Sequence, residues 1–353
     1  MKRDFLLEIG CENIPSAYLD DLLSQLAAAV TRSLDSGRIE RDGAAVLGTQ
    51  RRLVVHLRGV ADRQASAESR IVGPPVKAAI APDGSYTAAA KGFAKSQGVA
   101  VERLSRVKTE RGEYLAAVKR VAGRPSASVL RELVPRWIES LRSPKTMRWN
   151  SSGASFARPI RWLLCLYGPD VVRARAAGLA AGRRTRSTPF AAATTSVRSP
   201  QRYFSLMKRG GVVLDPAERR DIVRAEARRL AERAGGRLVE DEELVAIVAN
   251  LLERPVPLAG SYDERFLKLP REVIVAALKS HQRYFSVVGE NGALLPAFVA
   301  FADGVRRGAA AGPEGGDLRQ QHGQRHPRRG GELHAGRDPV PLREGRRGAR
   351  LAE

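Results

Sequence analysis

Between two strand-like runs, Phe5-Leu6-Leu7-Glu8-Ile9 and Leu53-Val54-Val55-His56-Leu57, the residues Leu19, Leu22, Leu23, Leu26, Val30 and Leu34 recur at three- and four-residue steps. That period puts all six on one face of a helix, and the face is too apolar to leave in water. Ser16 stands where an N-cap belongs, and Gly37 where a helix stops. The two flanking strands supply the surface that covers the stripe. Strand, helix, strand therefore predicts a sheet with a helix layered on it, a mixed α/β arrangement of the α+β class.

Residues 59–100 are looser, with Gly73-Pro74-Pro75 and Pro82-Asp83-Gly84 as turns and a short helix expected from Thr87 to Ser96. Leu104–Thr109 and Tyr114–Val121 flank a Gly-containing connection of hairpin length. Ser126 or Ser128 can cap a helix carrying Leu130, Leu133, Val134, Trp137 and Leu141, which Pro144 stops. Phe156–Trp162 opens a strand whose remainder is apolar. Asp215-Pro216-Ala217-Glu218 combines an acidic cap, a proline at the first helical position and a glutamate placed for a capping box. The helix it starts, ending at Gly235-Gly236, has a thin apolar stripe and many arginines, the profile of a surface helix. Leu244, Ile247, Val248 and Leu251 mark another helix before Pro255. Pro270 then starts a helix, and His281–Val288 alternates like a strand, so a helix feeds a strand through a basic, aromatic corner.

Three regions follow from this pass: 1–200 with sheet and helix, 201–304 mostly helical, and 305–353. The last has no aromatic residue, no isoleucine and no sustained period. Its Arg, Gly, Pro, Ala and His composition cannot compensate the entropy of ordering by burial and predicts disorder.

The formal net charge is +22, and most of it lies before residue 305. A charge of that size calls for an anionic partner, RNA ahead of a membrane because no apolar run is long enough to span one. Arginine greatly outnumbers lysine, which a GC-rich coding sequence also produces, so a merely solvated basic surface stays open. Cys11 and Cys165 stand far apart with no CxxC or Cys/His grouping. They give neither a zinc pattern nor a disulfide framework and fit a reducing cytoplasm. The first residues run straight into Phe5–Ile9, too short and too acidic for a signal peptide.

No GxxxxGKS/T loop, GxGxxG after a strand, HExxH or GxSxG occurs. Asp20-Asp21 and Glu240-Asp241-Glu242-Glu243 sit at or near helix starts, where acids complement the dipole, and read as structural rather than as a metal or acid/base site. His56 lies mid-strand opposite an apolar face and is expected at the surface. His281, beside Arg283 and Tyr284, is explained equally by a contact role and by a buried, hydrogen-bonded one. Trp149 and Trp162 adjoin an apolar strand and read as core ahead of base stacking. Arg148, Arg158 and Arg161 have no evident acidic partners and lead the phosphate-contact candidates, with surface solvation as the competing account. No catalytic residue and no metal ligand emerges.

Five blocks carry a family resemblance. Phe5–Pro15, FLLEIGCENIP, is similar to the opening EIGxEExP of the β subunit of bacterial heterotetrameric glycyl-tRNA synthetase. Gly48–Leu53 resembles its TPRRL segment, Ser143–Trp149 its PKxMRW and Phe156–Trp162 its FxRPxRW. Phe266–Pro270 and His281–Phe285 resemble its FLxLP and HQxYF run, all in the same order.

The resemblance implies an enzyme of two α and two β subunits that joins glycine to tRNA-Gly using ATP. The class II active site, ATP and Mg are then on the α subunit, and no cofactor is bound by this chain. The β chain contributes tRNA binding and assembly. Its N-terminal region is expected to resemble the B3/B4 domain of the phenylalanyl-tRNA synthetase β subunit. Contact candidates toward tRNA-Gly or the α subunit are Arg51, Arg52, Lys145, Arg148, Arg158, Arg161, His281, Arg283 and Tyr284. Two departures stand out. Where the family reads GHRF, this chain has Ser187-Thr188-Pro189-Phe190, and the match stops near Asp303. The composition of 305–353 is what a GC-rich gene yields in the wrong frame, so a frameshifted or truncated β subunit is expected. A stand-alone RNA-binding protein and a hydrolase that edits misacylated tRNA are the competing functions.

Overall fold

A computed structural model describes residues 2–186 and 194–304. The expectations on Ser187–Phe190 and on the tail from residue 305 lie outside the described residues. In chain order, β1 (Lys2–Cys11) leads into α1 (Ser16–Ser36), followed by the hairpin of β2 (Gly43–Thr49) and β3 (Arg52–Ala61). Next come β4 (Ala67–Pro75), α2 (Ala88–Gln97), β5 (Ser105–Thr109) and β6 (Gly112–Val121). The chain returns through α3 (Ser126–Ser140), β7 (Ile160–Tyr167) and β8 (Asp170–Val171). After residue 194 come α4 (Pro200–Arg209), α5 (Pro216–Arg233), β9 (Arg237–Leu238) and α6 (Glu242–Asn250). The last are β10 (Pro255–Ser261), α7 (Arg271–Ala277), β11 (Phe285–Val288) and β12 (Leu294–Asp303). Helices and antiparallel sheets share the chain, which is an α+β fold.

The first sheet has the order β8-β7-β1-β3-β2, with every neighbouring pair antiparallel. Side-chain alternation divides it into two faces. Phe5, Leu7, Ile9, Leu53, Val55, Leu57, Leu163 and Cys165 meet the leucine stripe of α1 and the apolar face of α3. All six stripe residues are buried, as their period predicts. On the opposite face Leu6, Val54, Leu164 and Leu166 meet Tyr203 and Met207 of α4. Cover on both faces explains why β1 and β3 read as nearly unbroken apolar runs. Burying one leucine contributes roughly 1.5–3 kcal/mol, so α1 is held chiefly by this face.

Two caps differ from expectation. Neither Ser16 nor Ser126 caps its helix; Pro15 (φ −55) and Pro125 (φ −56) precede the first turn with no side-chain cap bond. The rigid pyrrolidine sets the entry direction that a hydroxyl was expected to set. The acidic cap at Asp215 is as read, accepting from the Ala217 N–H at 2.8 Å, and Asp241, read only as an acid near a helix start, caps α6 by accepting from the Leu244 N–H at 2.9 Å.

A second sheet, β9-β11-β12-β10, packs on α5 and α6. As read, α5 lies at the surface, and only a thin stripe of it, Arg219, Val223, Ala227 and Ala231 at four-residue steps, is fully buried. Its apolar members, Val223, Ala227 and Ala231, are small, which lets the helix approach the sheet closely. A third sheet, β4-β6-β5, carries its own small core with α2.

The basic, aromatic corner also differs. Leu278–Gln282 continue α7 as a wider π-type turn, Arg283 (φ 60) closes it in the left-handed region, and the strand begins at Phe285. The alternation read from His281 therefore fails over its first four residues. Among the described residues no helix is long and apolar enough to cross a membrane.

Candidate functional site

Because β1 runs antiparallel to both β3 and β7, its C-terminal end lies beside their starts. Gly10 is opposite Arg52 on one side and Trp162 on the other. That register gathers the Arg51-Arg52 doublet, Arg158, Arg161, Trp162 and the Cys11-Glu12-Asn13 turn, with Arg186, around a cleft of about 530 Å³.

The floor is a buried charge network. Arg52 is 1% exposed and Glu8 and Glu253 are 0%. Arg52 Nη1 donates to Glu8 Oε1 at 2.7 Å and to the Arg186 carbonyl at 2.8 Å, and its Nε donates to Glu253 Oε1 at 2.8 Å. Hydroxyls fill the remaining lone pairs. Thr49 donates to Glu253 at 2.6 Å, while Thr185 and Tyr203 donate to Glu8 at 2.9 and 3.0 Å. Burial works to lower the Arg52 pKa, but the Glu253 and Glu8 charges together hold it above the ordinary arginine value. Tyr203 is held well above the usual phenol range, first by burial and then by Glu8. This hydroxyl is a fixed donor rather than an acid. Such a network tolerates burial because nearly every polar atom has a partner.

Trp162 forms one wall. Its indole N–H donates to Glu8 Oε2 at 2.9 Å, and its ring rests on the backbone of Gly10, where a Cβ would lie 1.9 Å from Cε2. The guanidinium carbons of Arg52 and Arg186 stand 5.8 and 5.4 Å from the ring centroid, within cation–π range.

Each rim arginine has its own state. Arg161 pairs with Glu12. Arg51 reaches Asp303 at 3.4 Å, and Gln50 donates to the same carboxylate oxygen at 2.9 Å. Burial raises the Asp303 pKa, with the Arg254 and Glu253 N–H groups working against it. Arg158 donates to the Asn13 carbonyl at 3.2 Å and lies 3.6 Å from the Met147 sulfur. Among the described residues, neither Arg158 nor Arg186 has a carboxylate partner. The cleft thus presents donors to an anion, and among the described residues it holds no nucleophile paired with a base.

A family model described as glycyl-tRNA synthetase beta subunit matches residues 5–314. The chain belongs to that family. It is 41% identical over 306 residues to the glycine–tRNA ligase beta subunit of Moorella thermoacetica, covering 86% of this chain and 44% of that protein. The corresponding protein of Citrifermentans bemidjiense is 41% identical over 300 residues, 85% of this chain and 44% of its own length. That of Desulforudis audaxviator is 42% identical over 306 residues, with 86% and 44% covered. The chain therefore spans less than half the length of these curated relatives.

Of the nine contact residues expected from the glycyl-tRNA synthetase β-subunit pattern, Arg51, Arg52, Arg158 and Arg161 meet in the cleft. Lys145 and Arg148 are exposed on the segment carrying Met147, whose sulfur touches Arg158. His281, Arg283 and Tyr284 are held elsewhere. Tyr284 stacks on Phe298 with centroids 4.5 Å apart, Arg283 donates to the Lys279 carbonyl at 3.3 Å, and His281 is exposed.

Several readings are corrected. Arg161 has an acidic partner, Glu12, brought close by the bulge where β1 meets β7. Trp162 lines the cleft instead of the core, whereas Trp149 does pack against the core. His56 is half-buried against Phe204, centroids 4.6 Å apart, with its Nε2 3.4 Å from Asp4. Sequence reasoning missed Glu8, Glu253, Gly10 and Arg186. Only Glu8 left a signal, a lone carboxylate inside a buried apolar strand, which demands a buried partner.

Proposed function

We propose that the chain acts as the β subunit of a glycine–tRNA ligase, contributing tRNA binding and assembly with a catalytic α subunit for ATP-dependent joining of glycine to tRNA-Gly. The observation that carries the reading is the family match over residues 5–314. Convergence of five arginines on one cleft supports a part in holding RNA, because the guanidinium fork matches phosphate geometry. In this proposal ATP and Mg belong to the α subunit, this chain binds no cofactor, and the complex works in the cytoplasm. Region 1–200 takes the part of a B3/B4-like tRNA-binding region, a role supported by the place of the cleft within it.

The test is to mix the purified chain with the α subunit from the same genome. Co-elution at micromolar concentration and glycylation of tRNA-Gly above the level of α alone are expected. The absence of both a complex and a gain in glycylation would overturn the reading.

A further inference from the structure

We propose that the cleft at the strand ends receives the phosphates of a single-stranded RNA segment, with Arg158 and Arg186 as the anion-binding side chains and Trp162 holding Arg186 in place. The identity of the RNA rests on the β-subunit reading above, whereas the chemistry of the site rests on the cleft itself.

The five guanidinium groups are not equivalent. Arg52 is enclosed and bonded to two carboxylates, Arg161 pairs with Glu12, and Arg51 reaches Asp303. Arg158 has carbonyl and sulfur contacts, and Arg186 has the indole face. A cation–π contact uses the charge of the guanidinium but leaves its N–H donors for an anion. Trp162 is immobilised from below by Gly10 and at its N–H by Glu8, so Arg186 is presented from a fixed plate rather than a mobile surface. Preorganised donors hold a phosphate without first having to be ordered.

Shape selects the form of RNA. A cleft of about 530 Å³ is within the range of sites that enclose small ligands. It admits a nucleotide or two, not a duplex, whose phosphates lie on a stiff convex surface. The indole is already engaged by Gly10, Arg52 and Arg186, so it does not serve as a stacking platform. The site holds backbone without reading base identity.

The experiment uses the full chain and fluorescence anisotropy with three probes: a labelled single-stranded RNA oligonucleotide, the same strand in a blunt duplex, and tripolyphosphate as competitor. Arg158→Gln/Arg186→Gln is compared with Arg106→Gln/Arg111→Gln, which removes the same charge from exposed positions on the β5–β6 hairpin. Unchanged thermal unfolding in both pairs shows that the fold is retained. For the cleft pair, single-strand affinity is expected to fall about tenfold or more. The slope of log K against log salt should drop by about 1.4, the share of two phosphates in single-stranded RNA. The control pair should stay within about twofold.

Equal losses in both pairs, or a duplex bound as tightly as the single strand, would overturn the proposal. So would tripolyphosphate binding through Arg158 and Arg186 without competition from RNA, which would assign the cleft to free oligophosphates. Co-elution with the α subunit, measured on the same variants, separates this proposal from the broader one. A chain that assembles with α but lacks cleft-dependent RNA binding refutes the site alone, and one that binds RNA in the cleft but ignores α refutes the subunit reading alone.

Discussion

Arg52 Nε donates to Glu253 Oε1 at 2.8 Å although the two residues are 201 positions apart in sequence. The same guanidinium reaches Glu8, so two buried carboxylates share one cation, and hydroxyls from Thr49, Thr185 and Tyr203 complete the shell. The bond ties the first sheet to the segment that follows α6.

Replacing Glu253 by Gln keeps the shape and removes a charge that Arg52 faces directly. The expected cost is about 3 kcal/mol, typical for breaking one partner of a buried pair. It is read as a lower urea midpoint with an unchanged slope. An unmoved midpoint would show that Glu8 alone satisfies Arg52.

Gly10→Ala places a methyl group 1.9 Å from Trp162 Cε2. The indole must move, at an overpacking cost of about 1–3 kcal/mol, and Arg186 moves with it. Thermal unfolding and single-strand RNA affinity should fall together. Gly92→Ala, inside α2 with nothing within 4 Å of its Cβ position, should instead stabilise by roughly 0.5–1 kcal/mol.

Lys279 Nζ bridges Asp241 at 2.7 Å and Glu243 at 2.8 Å, fastening the π-type turn to the start of α6. Burial works to raise the Asp241 pKa, but the Lys279 bond and the Leu244 N–H outweigh it and hold the carboxyl below its ordinary 3.8. A depressed folded-state pKa contributes stability that is complete above the unfolded value and lost as pH falls through the folded one. Asn still caps α6, so the stability gap between wild type and Asp241→Asn is that of the ion pair with Lys279, about 0.5–1 kcal/mol, and it should stay level well above pH 3.8 and close below it. A gap that widened on acidification would contradict the assignment.

Ala227 lies fully buried between α5 and the second sheet. Ala227→Leu should cost about 1–3 kcal/mol by overpacking, measured as a lower unfolding midpoint. A tolerant site would show that α5 packs only loosely on the second sheet.

What the sequence disclosed follows the range of each signal. The six-residue stripe of α1 is a local period, and the structure buries every member. The serines beside Pro15 and Pro125 misled because the preceding proline takes the cap position and sets the entry direction, leaving the serine at the first helical position. His281–Val288 misled because eight residues with a mixed pattern fit a strand and the end of a helix equally well. Arg51, Arg52, Arg158 and Arg161, though not Arg186, were legible one by one as basic residues in polar or aromatic company. Their convergence was not, because it depends on which strands pair and in what register, a property of the whole sheet. Glu253, in Leu252-Glu253-Arg254-Pro255, carried no local mark of its buried partner at all.

The sequence distance between Arg52 and Glu253 also sets a schedule during synthesis. Translation proceeds at about 5–20 residues per second, so roughly 10–40 s separate the emergence of Arg52 from that of Glu253. The face of the nascent sheet that meets α1 can close early, since its helix is made within the same first hundred residues. The opposite face, with Glu8 and Arg52 on it, waits first for α4 and then for its last acid. A sheet half-covered at that stage exposes apolar surface and unpaired strand edges, the features that invite chaperone capture or mispairing.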